Sequence, residues 1–256
     1  MKAVILAGGF GTRIFEESRS RPKPMVEIGG RPILWHIMKY FSEFGINDFV
    51  VLGGYKVEMI RKYFLEYKLL NSDFTISYEN EDVKLLSKCK ENWKVTVINS
   101  GLDTMTGGRL LSAKSILENE EDFFFTYGDG LSNINLTAQL DYHRKHGKLA
   151  TLAAVRPPER FGRLSIESDG LVGNFKEKPY NIDSYVNGGF FILKPQVIDL
   201  IENSQTTWER EPLQNLSSCR QLMAYKHEGF WRPMDTLKDK NDLESMWKSD
   251  PKWKIW

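Results

Sequence analysis

The chain has 256 residues, of which 41% are hydrophobic and 27% charged, with 35 basic and 34 acidic side chains and a net charge of +1. That length allows one large core, or a core with a small appended lobe. The near-neutral balance argues against bulk electrostatic binding of nucleic acid or of an anionic membrane, so any positive charge that matters is local. Cys89 and Cys219 lie far apart without C-x-x-C spacing, which indicates neither a zinc site nor a disulfide framework and suits a reducing cytoplasm. No apolar run approaches the roughly 20 residues of a membrane span.

Lys2 to Ala7 is a short apolar run bounded by glycine, the pattern of a strand buried on both faces of a parallel sheet. Gly8, Gly9 and Gly11 follow, and their missing Cβ atoms let backbone N–H groups approach a ligand closely. Thr12 adds a hydroxyl and Arg13 a planar fork of donors suited to phosphate. Lys23, between Pro22 and Pro24, adds a point charge. Taken alone, Gly-Gly-x-Gly is equally the tight turn of many α/β units. The spacing matches neither G-x-x-x-x-G-K-[ST] nor G-x-G-x-x-G, because Ile14 stands where the latter needs glycine.

The apolar spacing predicts a helix over Ile33–Phe44 ended by Gly45, a buried strand at Phe49–Leu52, and a helix over Val57–Tyr67. Alternating strands and helices of this kind build a parallel sheet covered on both faces. Residues 74–98 break the rhythm. Phe74–Tyr78 and Trp93–Ile98 alternate like strands around a charged stretch, and together they suggest a hairpin or flap inserted into the domain.

Ser100–Arg109 is a second glycine-rich stretch leading into a helix over Arg109–Leu117, with Thr106 as its expected cap. A helix start is also rich in donors for a ligand. Asp122–Tyr127 is a buried strand ending in Gly128-Asp129-Gly130. An aspartate there is either a turn former or a carboxylate placed where open α/β sheets bind ligands. Leu136–His146 reads as a helix and Leu149–Val155 as a strand. Phe161–Glu167, Leu171–Glu177 and Val186–Leu193 read as strands joined by turns. Helices at Gln196–Glu202 and Trp208–Ser217 and a strand at Leu222–Lys226 precede Trp231-Arg-Pro-Met-Asp235. Asp235 stands just before a final helix over Thr236–Trp247, where a simple N-cap is the competing reading. His36, His143, His146 and His227 show no metal-binding spacing. Seven tryptophans, Trp247, Trp253 and Trp256 among them, suggest that some lie at a subunit interface.

The string L-A-G-G-x-G-T-R over residues 6–13, with a lysine ten residues after the arginine, resembles the signature of the nucleotide-sugar pyrophosphorylases. These nucleotidyltransferases join a nucleoside triphosphate to a sugar 1-phosphate. The continuation Lys23-Pro-Met-Val-Glu-Ile-Gly-Gly and the stretch Asp103-Thr-Met-Thr-Gly-Gly are most similar to the members that use CTP. The resemblance implies a Rossmann-like three-layer α/β/α fold, with a mostly parallel mixed sheet and a small β-rich sugar-binding part. It implies a single domain over 1–256, its nucleotide-binding half at about 1–130 and its sugar-phosphate half at about 131–256.

Carried onto this sequence, the resemblance assigns the nucleotide to Leu6, Ala7, Gly8, Gly9, Gly11, Thr12, Arg13, Lys23, Thr104, Thr106, Gly107 and Arg109, with Arg13 and Lys23 as the catalytic cations. It assigns the sugar phosphate to Tyr127, Gly128, Gly162, Glu177, Lys178, Asn187 and Gly188, and Mg²⁺ to Asp129 and Asp235. The expected substrates are CTP and a sugar 1-phosphate, in a cytoplasmic trimer or hexamer that binds neither nucleic acid nor membrane. Phe10, Phe15 and the charged run Glu16–Arg21 depart from the family pattern. Thymidylyl or uridylyl transfer, or a catalytically silent nucleotide-binding subunit, are the alternatives.

Overall fold

The computed structural model describes residues 1–80, 82–87, 89–157, 163–166, 172–176 and 185–256. Its centre is an eight-stranded sheet: β1 (Lys2–Ala7), β2 (Asp48–Gly53), β3 (Lys94–Asn99), β4 (Phe123–Tyr127), β5 (Ala150–Val155), β6 (Val186–Asn187), β7 (Phe191–Leu193) and β8 (Leu222–His227). β1 lies in the middle, parallel to β2 on one side and to β4 on the other, and β3 extends the parallel set beyond β2. β7 runs antiparallel to both β4 and β5, β6 runs antiparallel to β5, and β8 closes the far edge parallel to β5. The sheet is therefore mixed but mostly parallel, as expected.

The period of two along β1 divides the core. Ala3, Ile5 and Ala7 face one side, with Phe49 and Phe124 and with helices α1 (Ile33–Ser42), α2 (Val57–Leu70), α4 (Leu136–His146) and α6 (Leu237–Ser249). Val4 and Leu6 face the other side with Phe123, Phe125 and Trp208, covered by α3 (Thr106–Leu111) and α5 (Glu211–Ser218). All five residues from Ala3 to Ala7 are buried, which is why a continuous apolar run rather than an alternating one marks this strand.

Several elements depart from the sequence reading. Phe74–Ser77 pairs with Asp82–Leu85 as a separate hairpin, so the charged stretch supplies a strand, whereas Lys94–Asn99 is no part of an insertion and forms the outer parallel strand of the main sheet. The pattern misled because an edge strand needs only one apolar face, and β3 is only half-buried. The helix after the second glycine stretch begins earlier, at Thr106, and breaks at Ser112-Ala113 before a short turn at Lys114–Leu117. Met105, not Thr106, is its cap residue, and no side chain caps it. The strand expected over Val186–Leu193 is interrupted at Gly188–Phe190, where Gly189 and Phe190 have φ of +72° and +45°. Pro195–Leu200 forms a 3₁₀ helix rather than an α-helix. The helix expected over Trp208–Ser217 starts only at Glu211.

The C-terminal tryptophans fold onto their own chain. The rings of Trp247, Trp253 and Trp256 lie 4.8, 6.0 and 6.2 Å from that of His36, and Trp253 is fully buried. These side chains staple the end of the chain to α1, a packing role within the chain itself for three of the seven tryptophans.

His36 Nε2 donates to the Ile28 carbonyl at 2.8 Å and its Nδ1 accepts from Trp253 Nε1 at 3.3 Å, which fixes a neutral ring. Burial lowers its pKa from 6.5 to about 4, and burial does the same to His143 against the opposing pull of Asp122. Unfolding lets both rings take up protons at ordinary pH, so the stability they contribute above about 6.5 is lost as the pH falls toward about 4. The denaturant midpoint is expected to fall between pH 7 and pH 5, and to fall less in His36→Gln, which keeps a donor to Ile28 but does not titrate. A midpoint that does not move would contradict this account.

Candidate active site

The C-terminal ends of β1 and β4 open into a cavity of about 590 Å³. Leu6, Ala7, Gly8, Gly9, Gly11, Thr12, Arg13 and Lys23 line one side. Thr104, Thr106, Arg109, Tyr127, Gly128 and Asp129 also line it, together with Phe10, Pro24, Leu102, Asp103, Met105 and Gln205. A larger hollow of about 990 Å³ lies between α2, the segment that leads from Leu85 to Trp93, and β3. Its lining has neither a glycine turn nor a pair of aspartates, so the chemistry belongs in the smaller cavity.

The first glycine turn is shaped by what lies beneath it. A Cβ on Gly8 would sit 2.1 Å from Arg109 Nη1, and one on Gly54 would sit 2.3 Å from the same atom. Arg109 is buried, and Nη1 donates to Ser100 Oγ at 2.8 Å, the Gly101 carbonyl at 2.7 Å and the Gly53 carbonyl at 3.3 Å. Nη2 donates to the Leu102 carbonyl at 3.1 Å. Burial lowers its pKa, but a guanidinium stays charged at neutral pH. Its donors are thus engaged by the ends of β2 and the 100–102 loop, holding that loop against the glycine turn. Gly9 faces open space, and Gly11 takes φ of +66°, a conformation that favours glycine, with Ser18 Oγ donating to its carbonyl at 2.9 Å.

Lys23 sits in a 3₁₀ turn, Lys23–Met25, whose flanking prolines fix the backbone. Its ammonium donates to Asp129 Oδ2 at 2.5 Å and to Asp235 Oδ1 at 2.8 Å, and Arg13 Nη1 donates to Asp235 Oδ2 at 3.0 Å. Burial disfavours the ammonium, but the two carboxylates, Asp129 foremost, outweigh it and raise the pKa of Lys23. Asp129 follows β4. Asp235 is brought beside it by the antiparallel pairing of Gly130–Ser132 with Trp231–Pro233 and by the Met234 N–H donating to the Asp129 carbonyl at 2.8 Å.

Asp235 is not the cap of the final helix. Thr236 caps it, in a reciprocal arrangement with Asp239, which leaves the Asp235 side chain directed at Lys23 and Arg13. Among the described residues no cluster of three or more His, Cys, Asp or Glu could hold a metal. Asp129 and Asp235 nevertheless place hard carboxylate oxygens within reach of one point, the Lys23 ammonium. This set fits Mg²⁺, which is usually held by one or two carboxylates with phosphate oxygens completing its shell.

The remaining expected residues fall elsewhere. Gly107 packs against the 204–208 segment, where a Cβ would meet the Thr206 carbonyl at 2.7 Å, and it does not line the cavity. The Gly188 carbonyl accepts from Trp231 Nε1 at 2.7 Å, while Asn187 Nδ2 points to Tyr127 Oη at 3.4 Å. Gly162, Glu177 and Lys178 lie outside the described residues. Glu209, which no sequence pattern marked, accepts from Tyr127 Oη and Thr106 Oγ1, both at 2.6 Å.

The profile of the family described as Nucleotidyl transferase matches residues 2–248. The chain belongs to that family. The glucose-1-phosphate cytidylyltransferase of Salmonella typhi is 51% identical over 257 residues, covering 100% of both chains. A probable glucose-1-phosphate cytidylyltransferase of Bacillus subtilis is 43% identical over 258 residues, again with 100% coverage of both. Among solved structures, HddC from Yersinia pseudotuberculosis superposes with a TM-score of 0.69 at 22% identity, covering 96% of this chain and 99% of that one. A putative glucose-1-phosphate thymidylyltransferase from Bacillus anthracis gives 0.68 at 16%, covering 97% and 96%. These two likenesses show the fold, the Rossmann-like α/β arrangement common to nucleotidyltransferases.

The Arg109 network is testable apart from catalysis. Arg109→Ala leaves the Gly101 and Leu102 carbonyls without their buried donor, and such losses cost about 3 kcal/mol in total. Chemical denaturation is expected to show a loss of that order. A loss near zero would mean that the loop holds itself.

Proposed function

We propose that the chain transfers a cytidylyl group from CTP to glucose 1-phosphate, releasing pyrophosphate. The observation that carries this reading is the convergence of Lys23 and Arg13 on Asp129 and Asp235 beside the glycine turn. Full-length identity of 51% to a glucose-1-phosphate cytidylyltransferase supports the choice of base and sugar.

A phosphate oxygen of the sugar phosphate attacks the α-phosphorus of CTP in line. The bond to the bridging oxygen breaks, and pyrophosphate leaves with the electron pair. The attacking phosphate is already a dianion near neutral pH, so no general base is needed, and the buried, neutral His36 and His143 are not called upon. The difficulty lies in bringing anions together and stabilising charge on the leaving group, which calls for fixed cations and aligned N–H groups.

Arg13 and the backbone N–H groups of the Gly8–Gly11 turn bind the β- and γ-phosphates, with Leu6, Ala7 and Thr12 completing that wall. Lys23 bridges the α-phosphate and the incoming sugar phosphate, and its raised pKa keeps it charged. Thr104, Thr106 and the loop held by Arg109 flank the base and ribose. Mg²⁺, held by Asp129 and Asp235, would supply electrophilic charge at the α-phosphate. Tyr127, Gly128, Asn187 and Gly188, with Gly162, Glu177 and Lys178, serve the sugar phosphate. This divides the single domain into a nucleotide half at about 1–130 and a sugar half at about 131–256. Among the described residues no helix is long and apolar enough to cross a membrane, and Cys89 and Cys219 are free thiols, which supports work in the cytoplasm.

We propose further that the chain self-associates, as a trimer or hexamer. Phe74, Ile76 and Val83 on the hairpin and Leu65 and Leu70 on α2 are exposed, an apolar surface larger than scattered single residues. Light scattering at micromolar concentration is expected to give a multiple of 29.7 kDa; a monomer mass contradicts it.

Pyrophosphate release measured with each common nucleoside triphosphate and glucose 1-phosphate tests the central reading. CTP is expected to be clearly preferred, because cytosine and uracil present different donor and acceptor patterns and the wrong base leaves buried groups unpaired. Equal turnover with UTP and dTTP would sink it. Lys23→Ala is expected to lower kcat about 100-fold, as loss of one electrostatic stabiliser does. Asp235→Asn keeps the size but not the charge, so its defect should be partly relieved by raising Mg²⁺. Wild-type behaviour of Asp235→Asn at limiting Mg²⁺ removes that residue from metal binding.

A further inference from the structure

Glu209 stands behind the cavity wall rather than in it, and is joined to that wall by two hydrogen bonds. Tyr127 Oη donates to its Oε1 and Thr106 Oγ1 to its Oε2, each at 2.6 Å. Tyr127 and Thr106 both line the cavity, the first at the end of β4 and the second at the start of α3. A hydroxyl has one proton to give, and an ionised carboxylate can only accept. Both protons are therefore directed away from the cavity.

The polarity is fixed at both ends as well. The Trp208 N–H donates to Thr106 Oγ1 at 2.9 Å, and a backbone amide cannot reverse that bond. On the other side the Gly189 N–H donates to Asn187 Oδ1 at 2.9 Å, so the Asn187 amide group must turn its Nδ2 toward Tyr127 Oη, 3.4 Å away. From β6 to α3 the side chains thus form one chain of hydrogen bonds that converges on the Glu209 carboxylate. Facing the cavity, the Tyr127 and Thr106 oxygens retain acceptor capacity and no proton.

We propose that Glu209 is a positioning residue that holds Tyr127 and Thr106 as acceptors, so that this part of the wall selects ligand groups that donate, a sugar hydroxyl at Tyr127 first among them. This rests on the reading of the cavity as a cytidylyltransferase site and names the group that sets its polarity. Glutamine at 209 has nearly the same volume but one acceptor oxygen and one donating amide. The two hydroxyls bond different carboxylate oxygens, so in glutamine one of them faces the amide's N–H instead of an acceptor and must turn its proton away, toward the cavity and a ligand donor.

The test measures kcat and KM for both substrates in wild type, Glu209→Gln, Tyr127→Phe and the double variant, with thermal unfolding as a check on folding. Glu209→Gln is expected to raise KM for glucose 1-phosphate about 10-fold, more than it lowers kcat, as buried polar groups facing the wrong partner do. In the Tyr127→Phe background the same substitution should add little to that KM, because the hydroxyl it acts through is gone. Wild-type KM in Glu209→Gln, or effects of the two substitutions that multiply independently, overturns the proposal. So does a variant that loses only thermal stability and kcat, the result expected of a structural brace. Wild-type enzyme that releases no pyrophosphate from CTP and glucose 1-phosphate overturns the parent reading and this one together, and is told apart by the wild-type control alone.

Discussion

One ammonium group ties together three distant parts of the chain. Lys23 bonds to Asp129 and Asp235, which lie 106 and 212 residues further on. Two carboxylates this close repel each other unless a cation stands between them, and a buried lysine is costly unless anions surround it. Each group therefore makes the others tolerable. The rest of the site is arranged to let them meet. β1 delivers the glycine turn, the prolines around Lys23 fix its approach, and the short pairing of Gly130–Ser132 with Trp231–Pro233 carries Asp235 across to the end of β4.

Much of this could be read in advance because it is written in local chemistry. The apolar run before Gly8 and the helical patterns of Ile33–Phe44 and Leu136–His146 are short-range, and all three became elements within a residue or two of their expected limits. The Phe74–Asn99 region was misjudged because its strands are edge or hairpin strands with weak burial. Asp235 was ambiguous in sequence because aspartate and threonine are both good caps, and only the three-dimensional choice of Thr236 as the cap settles that the Asp235 carboxylate pairs with Lys23 and Arg13.

What the sequence could not reveal is the layer behind the wall. Arg109 lines the cavity, but its guanidinium also lies under Gly8 and Gly54 and donates to loop carbonyls, a bracing role that its place in the glycine-rich stretch did not announce. Glu209 belongs to no motif, and its two partners are 82 and 103 residues away. A half-buried acceptor shared by two hydroxyls leaves no periodic trace. The faint signals were an acidic residue directly after the buried Trp208 and a glycine at 8 with no tolerance for a Cβ, and neither points to a role without coordinates.

The order of the sheet has a further consequence for how the chain acquires activity. Contacts between residues more than 200 positions apart carry the largest loop-closure cost and are satisfied late in folding. The helices and the β1–β2 pairing need only nearer neighbours, so they can form while the pocket still lacks one of its acids. A refolding chain should then recover its far-ultraviolet signal well ahead of its turnover, and the interval between the two is a clock for the pairing of Trp231–Pro233 with Gly130–Ser132.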